Sequence, residues 1–147
     1  MNFIEEGLAL FEVSFTTQEV LSEILSYKDN VSNIINHLIE QKGLLQMEVG
    51  NKNLLLALNK NLGKGEASII ALALERGDIT YVILDDYTAR KTAMRLGLKV
   101  KGTLGIIRKL YDLNKISYPA LQLYEELHSI GFRVKEEIFR EIFKGYL

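Results

Sequence analysis

The stretch ITYVILDD, Ile79 to Asp86, decides the fold. Its first six residues form a nearly unbroken β-branched and apolar run, as expected of a strand buried on both faces of a parallel sheet. Two carboxylates, Asp85 and Asp86, end it. A helical pattern follows over Thr88 to Leu96, then Gly97, a short strand at Leu98 to Lys101 and a further helix from Thr103. Strand alternating with helix in this order predicts an α/β fold with a parallel sheet.

Toward the N-terminus, GEASIIALALERG (Gly65 to Gly77) reads as a compact helix. Ala67, Ala71 and Ala73 allow close packing on a sheet, and Gly77 supplies the stop. Phe11 to Phe15 (FEVSF) alternates Phe11, Val13 and Phe15 with Glu12 and Ser14, the period-two pattern of a half-buried strand. Thr16, followed three residues later by Glu19, reads as a capping box that opens a helix with Val20, Leu21, Ile24 and Leu25 inward. A second helix is expected from Val31 to Lys42, with Ile34, Ile35, Leu38 and Ile39 inward and Gly43 ending it. Leu44 to Val49 reads as a strand, and Leu54 to Leu58 is apolar without a decisive period. The C-terminal third is all helical, with Pro119 in the first turn of one helix and Val134 to Phe143 as the last.

The whole, residues 1–147, is expected to be one domain. With 48% hydrophobic residues, 25% charged and a single Pro, the chain is too apolar for disorder. No run approaches the roughly 18 apolar residues that span a bilayer. Glu5 and Glu6 near the start exclude a secretory signal, so a cytoplasmic protein with no membrane partner is expected. The absence of Cys excludes disulfides, thiolate zinc sites and a Cys nucleophile. The net charge of -1 hides a division, because residues 1–50 hold 8 acids and 2 bases whereas residues 90–115 hold 1 acid and 8 bases. That basic segment offers a local attraction for phosphate.

In parallel α/β sheets ligands bind beyond the carboxyl ends of the strands, where Asp85 and Asp86 fall. Adjacent residues point to opposite sides, so one of the pair should face a cleft and the other cap the next helix. Glu66 follows the glycines Gly63 and Gly65 on the first turn of a helix, and Glu23 lies one turn inside another. Buried carboxylates without partners are costly, so clustered acids point to a cation. Oxygen ligands without His or Cys suit Mg²⁺ or Mn²⁺. Glu19 is assigned to the capping box, which leaves Glu23 for the site.

Other signals carry less. Gly97 to Thr103 has the length of a P-loop but lacks the Lys after its second glycine, which argues against ATP; Thr103 at a helix start still suits a phosphate. An acidic pair past the midpoint argues against a phospho-acceptor receiver domain. His37 should be exposed and His128 should close a helix, neither with a catalytic partner. Tyr111, Tyr118 and Tyr124 read as core or interface residues.

VLSEI (Val20 to Ile24), LGKGEASIIALALE (Leu62 to Glu75), VILDDYTARKTAMRLGLKVKGTLGII (Val82 to Ile107) and GFRVKEEIF (Gly131 to Phe139) together resemble the PIN-domain nucleases. The likeness is to the prokaryotic branch with GEA, DDxxAR and GTLG signatures, akin to VapC-type toxins, and runs from about Phe11 onward. The resemblance implies a three-layer α/β/α domain, Mg²⁺ or Mn²⁺ held by three or four carboxylates, and hydrolytic cutting of RNA. Carried over by residue, Glu23, Glu66 and Asp86 would be the catalytic and metal-binding acids, with Asp85 as an additional ligand. Arg90, Lys91, Lys101 and Thr103 would position the RNA. A toxin role implies an antitoxin protein as partner, and the family likeness a homodimer. In one respect the chain departs from the family, whose first strand ends in an Asp and lies mid-sheet. Met1-Asn2-Phe3-Ile4 resembles the helix after it, so that strand and its metal-binding Asp are expected to be missing. An endoribonuclease and a catalytically inactive nucleic-acid- or protein-binding module are therefore the two readings.

Overall fold

Every strand contact is parallel in the computed structural model, which describes residues 3–27 and 29–147. Strand β1 (Phe15–Thr17) pairs with β2 (Leu45–Met47), and β3 (Val82–Ile83) with β4 (Val100–Lys101). The α/β class is observed, but the single continuous sheet is not: among the described residues the strands form two separate two-stranded sheets. The chain groups into two compact units, Leu8–Lys101 with all four strands, and residues 3–7 with Gly102–Leu147. Helix α1 (Phe3–Leu8) comes first, and among the described residues no strand precedes β1.

The strands are shorter than their apolar patterns, because pairing length is set by the partner and not by hydrophobicity alone. The expected strand at Phe11 to Phe15 begins only at Phe15, with Val13 53% exposed. The run Ile79 to Leu84 is laddered only at Val82–Ile83, and it is not buried on both faces: Val82 and Leu84 are buried, while Tyr81 and Ile83 are exposed.

Helix α2 (Gln18–Leu25) starts one residue later than the capping-box reading requires. Thr17, not Thr16, is the N-cap, its Oγ1 accepting from the Val20 N–H at 3.2 Å. Thr16 belongs to β1, and Glu19 is a first-turn acid outside any capping box. Helix α3 (Asn30–Glu40) is capped by Asp29 and followed by Lys42 at φ 59°, so the left-handed stop precedes the expected Gly43. The undecided run becomes helix α4 (Lys52–Asn59), whose Asn51 cap accepts from Leu54 N–H at 3.0 Å.

Helix α5 (Lys64–Arg76) lies at the centre of its unit, ended by Gly77 at φ 70°. Its Ala67 and Ile70, both at 0% exposure, pack with Val82, Leu84, Ala89 and Ala93; Ala71 and Leu72 pack with Val49, with Phe15 and Met47 against them. Small alanines let both strand pairs approach one helix closely. Between β1 and α5, the buried hydroxyls of Thr17 and Ser68 stand 2.7 Å apart. Ser68 donates to Gly65 O at 2.7 Å, so the Thr17 proton goes to Ser68 while a Thr17 lone pair receives Val20 N–H. Helix α6 (Tyr87–Arg95) completes this unit.

The other unit contains α7 (Thr103–Asp112), α8 (Ala120–Ser129) and α9 (Glu136–Ile142). Tyr111, Phe139 and Phe143 are buried together, with Phe139 and Phe143 stacked at 4.5 Å. Tyr111 donates to Tyr118 O at 2.9 Å, and Tyr124 packs edge-on to Phe139, so these tyrosines are structural. Arg108 ties α7 to the chain end by donating to Ile142 O at 2.6 Å. His37 is exposed, and His128 lies in the last turn of α8, as expected. No helix among the described residues is long and apolar enough to cross a membrane.

Candidate functional site

The N-terminus of α5 has no side-chain cap of its own, since its N-cap is Gly63. Its Gly65 N–H is instead taken by Glu23 of α2, whose Oε1 accepts at 3.2 Å. Gly65 leaves room for this contact: a Cβ would lie 3.1 Å from both Glu23 oxygens, tight enough that the carboxylate would have to shift. A Cβ on Gly63 would meet Glu66 Oε2 at 2.5 Å, because the Glu66 carboxylate folds back over the start of its own helix. Two bare glycines thus let two carboxylates sit over a helix end whose partial positive charge favours them.

At α6 the arrangement is local. Asp86 is the N-cap, with Oδ2 accepting from Ala89 N–H at 2.9 Å, so the capping member of the expected Asp pair is Asp86. Arg90 donates from Nη1 to Leu84 O at 2.8 Å and so fastens the end of β3 to α6. Part of its hydrogen-bonding capacity is therefore spent on the fold.

Glu23, Glu66, Asp85 and Asp86 all line one cavity of about 850 Å³ within the Leu8–Lys101 unit. Their oxygen-only chemistry suits a hard divalent cation such as Mg²⁺ or Mn²⁺. Their placement does not finish such a site: among the described residues no three His, Asp or Glu side chains converge to hold a metal. Glu23 accepts from Gly65 at the start of α5 and Asp86 from Ala89 at the start of α6, which holds the two acids on different helix ends.

The basic candidates divide. Lys101 Nζ lies 4.4 Å from the Tyr81 ring centroid and Lys91 Nζ 5.1 Å from that of Tyr87. Thr103 is the first residue of α7, in the other unit, after the Gly102 N-cap. Tyr81 and Tyr87 were not singled out by the sequence reading, yet both are exposed and Tyr87 is 71% so. Their signal was available: each stands within five residues of the Asp85-Asp86 pair.

A family model for the PIN domain, DUF3368, matches residues 4–146. The chain belongs to this PIN-domain family. Membership gives a nuclease-type fold, of a class generally dependent on divalent metal and associated with nucleic acid. Neither the curated proteins nor the solved structures include a significant match to this PIN domain.

Proposed function

We propose that this PIN domain is a Mg²⁺- or Mn²⁺-dependent endoribonuclease working at the acidic cavity, with Glu23, Glu66 and Asp86 as its acids and Asp85 beside them. One observation carries the reading: the candidate acids Glu23, Glu66, Asp85 and Asp86, from three separate chain segments, line a single cavity in a chain of nuclease-type fold. A bound divalent cation would supply an activated water and offset phosphate charge. The chain's own part is to bind and orient the strand. Tyr87 and Tyr81 offer ring faces for unstacked bases, and Lys91 and Lys101 beside them attract the backbone. Arg90 acts by fixing the turn that presents Asp85 and Asp86.

The lack of three converging acids favours a second reading, a binding module that holds RNA without cutting it. Cleavage of a mixed RNA pool with Mn²⁺ separates the two. The nuclease reading expects cutting that Glu66→Ala abolishes, and equal activity in both proteins removes Glu66 from the site. Absence of cutting, together with RNA binding that Tyr87→Ala weakens about tenfold, selects the binding module.

A further inference from the structure

Thr17 and Ser68 are polar yet fully enclosed, both at 0% exposure, and their hydroxyls stand 2.7 Å apart where the start of α2 meets α5. An apolar pair of the same shape would fill this space at little cost to stability, because hydrogen bonds made on folding replace those made to water. A satisfied buried pair adds direction, fitting one register of the two helices and no other. That register matters at Gly65. As the second residue of α5, Gly65 has an N–H among the donors that a helix leaves without a partner of its own. Glu23 Oε1 of α2 accepts from it at 3.2 Å. The Gly65 carbonyl accepts from the Ser68 hydroxyl at 2.7 Å, and Ser68 in turn pairs with Thr17, the N-cap of α2. The contacts close a circuit through Glu23, Gly65, Ser68 and Thr17 and back along α2. Glu66 folds over Gly63 at the same helix end. Among the described residues no buried side-chain polar atom lacks a partner, so the circuit is fully satisfied.

We propose that Thr17 and Ser68 are positioning residues for the acids: their hydroxyl pair fixes the register of α2 on α5 that seats Glu23 on the Gly65 amide, beside Glu66. Both hydroxyls are buried, so they act through Glu23 and not on a ligand. Apolar contacts between helices are non-directional and tolerate a small slide, whereas the paired hydroxyls do not. A slide of about 1 Å is enough to cost about a hundredfold in a catalytic site. What the acids then do to RNA rests on the nuclease reading; the seating of Glu23 does not.

The test follows hydrogen exchange at the Gly65 amide in the full chain, without metal or RNA, with the Ile70 amide inside α5 as internal reference. Glu23→Ala gives the rate of an unseated Gly65. Thr17→Val and Ser68→Ala should each speed Gly65 exchange about tenfold relative to Ile70, toward the Glu23→Ala rate. Thr17→Ser, which retains the hydroxyl, should keep the wild-type ratio. Should Thr17→Val fail to fold, Ser68→Ala and Thr17→Ser carry the comparison. With RNA and Mn²⁺, Thr17→Val and Ser68→Ala should lose about tenfold or more in kcat while KM stays within about twofold. Asp29→Ala, which removes the cap of α3, should leave kcat unchanged. A Gly65-to-Ile70 ratio that stays at the wild-type value overturns the proposal. So does a ratio that Thr17→Ser fails to keep, or a loss of kcat no larger than that of Asp29→Ala. A wild-type chain that does not cut RNA removes the nuclease reading alone, and the exchange ratio then decides the positioning role by itself.

Discussion

The N-termini of α5 and α6 both meet a carboxylate, by opposite routes. At α6 the acid is local: Asp86 accepts from Ala89, three residues on, at 2.9 Å. At α5 it comes from elsewhere in the chain, Glu23 accepting from Gly65 across 42 positions at 3.2 Å. A local cap stabilises one helix and little else. A remote one ties two helices together and is closely fitted to a glycine at the point of contact, so its loss disturbs both packing and the acids of the cavity.

The tie between α2 and α5 is reinforced below by the Thr17–Ser68 contact, and breaking that contact should have the largest effect. Thr17→Val keeps the volume but removes the α2 cap and leaves a buried Ser68 lone pair without its donor. A loss of about 2 to 3 kcal/mol in urea unfolding is expected. A loss below about 0.5 kcal/mol would show that the remote tie is dispensable.

Gly65→Val attacks the same joint from above, since even a Cβ stands 3.1 Å from the Glu23 carboxylate. The expected cost is about 1 to 3 kcal/mol, because helix α2 must give way or Glu23 must rotate off the Gly65 amide. In the nuclease reading RNA cleavage falls with it. Asp86→Ala, by contrast, should cost about 1 kcal/mol, the usual value of a helix cap. If Asp86→Ala destabilised more than Gly65→Val, the contrast between local and remote caps would fail.

Legibility followed the same division. The α5 helix, its Gly77 stop and the possibility of a cap at Asp85-Asp86 were readable because each depends on residues a few positions apart. The Glu23–Gly65 contact was not, as nothing in VLSEI or GKGEA encodes which helix end the acid will reach. Strand lengths were overestimated at FEVSF and ITYVIL because the apolar pattern reports burial, while pairing needs an edge that only tertiary structure supplies. The Thr16 and Thr17 pair misled by one residue, since either can cap and only the β1–β2 register decides. Run LLLAL of α4 hid its period because Leu56, 65% exposed, interrupts in sequence the face of Leu54, Leu55 and Leu58 that packs on the clusters around α5.

A third helix end sharpens the comparison through pH. Asp29 caps α3, accepting from Ser32 N–H at 3.0 Å, and that backbone hydrogen bond is the main cause that holds its carboxyl below the usual value. A carboxyl depressed in the folded state stabilises it above the unfolded pKa of about 3.9, and that contribution fades as pH falls through the folded value. Asn caps almost as well as Asp but does not titrate. Asp29→Asn should therefore leave the melting temperature near neutrality almost unchanged and make its decline between about pH 5 and pH 2 shallower. An unchanged acid slope would mean that the α3 cap works through hydrogen-bond geometry alone, with no part played by its charge.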